Sequence, residues 1–134
     1  MKRMLVIRAA RDLAPSGPAD PAGPGQSAQI LMVPDQNSLA TLQEAVGDNI
    51  EAAYSAEEAF PVAIELFANE EGLIKGLPYN EAATDLCRHD IVGDVVLFGG
   101  ADDDGNELAL DDSQMELLTG WLKDRGIVIA PAKA

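Results

Sequence analysis

The chain has 134 residues, 47% of them hydrophobic, which is enough for one packed domain and too few for two ordinary ones. It carries 23 acidic and 9 basic residues, a formal charge of −14, and its only cysteine is Cys87. Those numbers exclude an internal disulfide framework and argue against direct binding to DNA, RNA or anionic membranes, which such a surface repels beyond contact range.

The opening MKRMLVIR places basic residues before a short apolar run, too short for the central region of a secretory signal. It reads as a first strand over Leu5–Arg8. Residues 13–27 hold four prolines and three glycines without periodicity and read as a flexible surface loop. A hairpin across that loop brings the first strand to a second at Ala28–Val33, ended by Pro34. In DQNSLATLQEAVGDN, Leu39, Leu42 and Val46 recur at helical spacing, Asn37 or Ser38 supplies the N-cap and Gly47 a left-handed stop. Ile50, Ala52 and Tyr54 then alternate as a strand, followed by a loop, SAEEAF.

In PVAIELFAN, Val62, Ile64 and Leu66 point inward and Glu65 outward. Asn69 to Gly72 is a turn and Leu73 to Lys75 a short returning strand. Gly76-Leu77-Pro78 leaves the sheet, and Asn80 caps a helix over Glu81–Arg88 whose negative end favours the cations Arg88 and His89. IVGDVVLFGG carries apolar residues at both parities and reads as a central strand covered on both faces. An acidic loop follows. Asp111 then caps the last helix, with Gln114 in the capping-box position and Met115, Leu118, Trp121 and Leu122 on one face. Lys123 and Arg125 precede Gly126, and IVIAP closes the chain as a short strand. The expectation is an α+β fold in a single domain over residues 1–134: a mixed or antiparallel sheet of about six strands with two or three helices packed on it.

Catalytic patterns are weak. Cys87 and His89 point in different directions on a helix, and with no second Cys or His they make no metal site; a small core thiol and a helix-end cation suffice. In Asp102–Asn106, placing Gly105 sixth in a calcium loop puts Gly100 first, where an acid is required, so an acidic hairpin is the better account. FGGADDDG lacks the lysine and Ser/Thr of a phosphate loop. Glu70 and Glu71 are adjacent, which does not make a converging acid–base pair. We therefore expect no catalytic residue, no metal and no cofactor.

NEEGLIKGLPYNEAA, followed by DIVGDVVLFG and LDDSQMELL, resembles the domain-of-unknown-function family DUF3846. The matching features are Glu70–Gly72, Gly76–Pro78 with Asn80, Ile91–Asp94, Asp102–Gly105, and Asp111 with Gln114. The stretch LATLQEAVGDNIEAAY also looks like the family's N-terminal half. The Pro/Gly insert at residues 13–27 departs from the shorter connection expected there. The resemblance implies a phage, prophage or mobile-element accessory protein working in a bacterial cytoplasm, and it assigns no reaction.

Two functions are set against each other. One is a non-catalytic inhibitor that engages a host protein with a basic surface, motivated by the absence of any Lys or Arg between Asp12 and Ile74. The other is sequestration of a nucleotide-like ligand, with Lys75, Gly76, Pro78, Tyr79, Asn80 and Arg88 as ligand-binding residues and the cations Arg8, Arg11, Lys75 and Arg88 converging on its charge. Gly76, Pro78 and Asn80 also have sufficient backbone roles as exit, extended step and cap. A homodimer through an edge strand is a further partner class.

Overall fold

The computed structural model describes residues 1–9, 26–47, 50–55, 64–69 and 76–132. The proline-rich segment up to residue 25, the loop after Ser55, Val62, the turn at residues 70–72 and the strand at residues 73–75 lie outside them, as do Arg11 and Lys75.

Among the described residues, nine elements follow in order: β1 (Lys2–Arg8), β2 (Ser27–Val33), α1 (Leu39–Val46), β3 (Ile50–Ser55), β4 (Glu65–Asn69), α2 (Glu81–Cys87), β5 (Val95–Phe98), α3 (Asp112–Asp124) and β6 (Ile129–Ala130). The strands form one mixed sheet in the order β3-β4-β5-β1-β2-β6. Every neighbouring pair is antiparallel except β2 and the two-residue β6. The α+β expectation of about six strands and two or three helices is met.

Alternation along the strands divides the core in two. Leu5 and Ile7 of β1, Ile64, Leu66 and Ala68 around β4, and Val95 and Leu97 of β5 are buried on one face beneath α2 and α3. Met4, Val6, Val96 and Phe98 are buried on the other face beneath Leu42 and Val46 of α1. There Phe67 stacks on Phe98 with ring centroids 4.4 Å apart. β5 is thus the strand covered on both sides that its apolar run predicts.

Several boundaries differ from expectation. β1 begins at Lys2 because its charged residues are anchored: Lys2 Nζ donates to the carbonyl of Glu107, and Arg3 donates twice to that of Leu110. Ser38 is the N-cap residue of α1, but its hydroxyl donates to Glu107 Oε1 at 2.9 Å instead of accepting from the helix. Leu39 is 57% exposed and is not part of the buried stripe. Gly47 takes φ 129° and ψ 176°, a glycine conformation other than the left-handed helical stop. α2 ends at Cys87, and Arg88 itself adopts the left-handed cap at φ 55°. Ile91 to Asp94 do not extend β5. The capping box at Asp111 and Gln114 forms with both hydrogen bonds present.

Candidate functional site

The motif residues Leu77–Asn80 and Ile91–Asp94 meet as an antiparallel arch at the end of the sheet where β1 finishes and β5 begins. Gly93 N donates to Pro78 O at 2.6 Å, Asn80 N donates to Ile91 O at 2.8 Å, and Tyr79 bridges Val92. Asn80 is completely buried and knits the arch to the sheet. Its Nδ2 donates to the carbonyls of Ile7 and Gly93, and its Oδ1 accepts from Ala83 N and from Gln26 Nε2. Those four bonds use the side-chain capacity of the amide on protein groups. Gly93 stands at φ 81°, with the Leu77 side chain 2.8 Å from where a Cβ would be. Asp94 accepts from Ala9 N at 2.8 Å and pairs with Arg8 Nη1 at 3.2 Å.

Arg8 separates two hollows. One, of about 270 Å³, lies under the arch between Ala9, Val46, Leu77, Pro78 and Asp94. The other, of about 440 Å³, runs between α1 and the β1–β2 hairpin, with Val6, Gln29 and Leu31 below it and Thr41, Glu44 and Ala45 along its helical wall. A third, open depression of about 700 Å³ lies at the end of α2, lined by Thr84, Asp85, Arg88, His89, Asp90 and Arg125.

The structure does not gather the residues expected to bind a nucleotide-like ligand. Pro78 lines the hollow under the arch, whereas Arg88 lines the depression beyond α2. Tyr79 is 49% exposed, Gly76 is exposed, and Asn80 serves the arch. Lys75 lies outside the described residues. The two hollows beside Arg8 were not legible in the chain, because they depend on strands and a helix that are distant in sequence. The signal that could have found them is Arg8 itself, a cation at the inner end of an apolar strand.

Two further titratable groups, Cys87 and Asp102, have local explanations. Burial pushes the Cys87 thiol up to about 12, so it is a proton-bearing packing residue. The Asn106 backbone N–H, with help from that of Asp104 and the Asn106 side chain, holds the Asp102 carboxyl below its ordinary value. The acidic segment is closed by the Ala101–Glu107 bridge, which makes it a hairpin. Among the described residues, no group of three His, Cys, Asp or Glu side chains could hold a metal ion, and no helix is long and apolar enough to cross a membrane.

A mixed sheet flanked by α1 on one face and by α2 and α3 on the other, with a motif-built arch at one end, defines an α+β domain whose motif residues act first on the backbone. The model of the family described as a domain of unknown function (DUF3846) matches residues 21–123, more than half of the chain, and the chain belongs to that family. No curated protein and no solved structure matches it.

Proposed function

We propose that this chain is a non-catalytic binding protein of a phage or mobile element, and that it inhibits a host protein by engaging its basic surface. One observation carries this reading: four of the described cations are held against carboxylates, with Arg88 and Lys123 exposed elsewhere, while a larger set of carboxylates faces solvent. Lys2, Arg3, Arg8 and Arg125 stand 3.8, 3.0, 3.2 and 2.6 Å from Glu107, Asp112, Asp94 and Asp85 respectively. Arg125 also lies over the Trp121 ring at 4.9 Å. Asp102, Asp103 and Asp104 are exposed on the hairpin, as are Asp90, Glu116 and Asp124 elsewhere.

The asymmetry matters because a cation within 4 Å of a carboxylate contributes little field at a distance, whereas unpaired exposed carboxylates steer a basic partner. The hairpin end is the best-placed surface. Asp102–Asp104 are exposed on the hairpin, Leu108 of the same segment and Leu39 at the start of α1 are exposed too, and the Ser38–Glu107 bond joins helix and hairpin. An apolar centre with a charged rim is the ordinary anatomy of a protein interface.

The test is capture from a bacterial lysate followed by titration of the purified partner. The expected partner is basic. Its affinity falls by about tenfold or more from low to high salt and by a similar factor in the D102N/D103N/D104N variant. Absence of a basic partner at low salt, or a partner indifferent to both salt and the triple substitution, refutes the proposal.

A further inference from the structure

We propose that the hollow between α1 and the β1–β2 hairpin binds a small zwitterion with an apolar body, of the chemical class of an apolar α-amino acid or dipeptide. Its volume of about 440 Å³ is sufficient for such a molecule. Val6 and Leu31 supply an apolar floor on the sheet face beneath α1. Thr41, Glu44 and Ala45, spaced three and four residues apart, present one flank of the helix as the wall.

The polar groups define the ligand's charge pattern. Arg8 gives one nitrogen, Nη1, to Asp94; among the described residues its Nε and Nη2 have no protein acceptor, and the side chain is 32% exposed. Two adjacent N–H groups of a guanidinium suit a carboxylate. Glu44 is exposed on the opposite wall and makes no ion pair among the described residues. Arg8 and Glu44 therefore line one hollow with opposite charges that do not neutralise each other. Gln29, also on the floor, is steadied by donation from Nε2 to Pro131 O at 3.1 Å.

The same charges select against a polyphosphate. Asp94 already faces Arg8, Glu44 faces the hollow, and the whole chain carries −14. A zwitterion gives its carboxylate to Arg8 and its ammonium to Glu44 without adding net charge, while its side chain covers Val6 and Leu31. This site does not depend on the partner-binding reading, because none of Asp102, Asp103 and Asp104 lines the hollow.

Calorimetric titration and thermal unfolding with L-leucine, L-phenylalanine and the dipeptide Leu-Leu test the site, with N-acetyl-L-leucine, L-leucinamide and adenosine monophosphate as comparisons. At about 10 mM, at least one zwitterion is expected to raise the unfolding midpoint, and the blocked analogues and the nucleotide are not. R8Q and E44Q are each expected to weaken binding about tenfold or more. Glu44 is exposed and makes no ion pair among the described residues, so E44Q remains decisive even if R8Q fails to fold. No response to any zwitterion, an equal response to the blocked analogues or the nucleotide, or unchanged binding in E44Q overturns the proposal.

Discussion

The side-chain amide of Asn80 donates to the carbonyl of Ile7, a residue 73 positions earlier in the chain. The same nitrogen donates to Gly93 O at 2.8 Å, while the amide oxygen caps α2 through Ala83 N. One buried side chain thus ties an inner strand, the arch and a helix start together.

Asn80→Ala is expected to lower stability by about 2–4 kcal/mol, because it removes a helix cap and leaves buried carbonyls without donors. Asn80→Asp keeps an oxygen for the cap but loses both donors, so it should not recover that loss. Urea unfolding checks both: the midpoint should fall while the slope stays constant.

Gly93→Ala places a Cβ against Leu77 at a backbone angle that favours glycine. We expect a cost of about 1–3 kcal/mol. The double variant Gly93→Ala/Leu77→Ala should recover only the part due to contact. A double-mutant cycle in urea separates the two causes.

At the start of α3, Asp111 Oδ1 accepts from Gln114 N at 2.8 Å, and Gln114 Oε1 accepts from Asp111 N at 2.7 Å. Asp111→Ala should cost about 0.5–2 kcal/mol. Asp111→Ser should retain most of the cap, as thermal unfolding of the pair will show.

The Cys87 thiol, raised from an ordinary value of 9.0 to about 12, predicts slow alkylation at pH 8 in the folded chain and rapid alkylation once it unfolds. The linkage sign is negative. Above about pH 9 the unfolded thiol ionises while the folded one keeps its proton, so stability falls as pH rises toward 12. Cys87→Ser should flatten that part of the stability–pH curve, and iodoacetamide kinetics with urea titrations at several pH values check both effects.

Much of this fold was legible because its signals are local. The alternation of Ile64 and Leu66 against Glu65, the double-parity run before Gly99 and the Asp111–Gln114 pair are each decided within a few residues. Ser38 shows where such reasoning fails: its hydroxyl had a sufficient local role as a cap, but Glu107 claims it from 69 positions away. Arg88 fails differently, since a left-handed stop was expected only at glycine. Apart from the cation Arg8 at the end of an apolar strand, the hollows had no local signature, because their walls come together only when α1 packs across the sheet. Asn80 was legible as a cap but not as the link to Ile7, which depends on strand order.

The position of β1 has a practical consequence. It lies between β5 and β2 within the sheet, yet it precedes the span 21–123 that matches the family model. A recombinant fragment trimmed to that span would separate β2 from the remaining strands and strip Asn80 of its acceptor on Ile7. Expression boundaries for this domain therefore belong outside the recognisable family segment, with the first eight residues retained as interior scaffold.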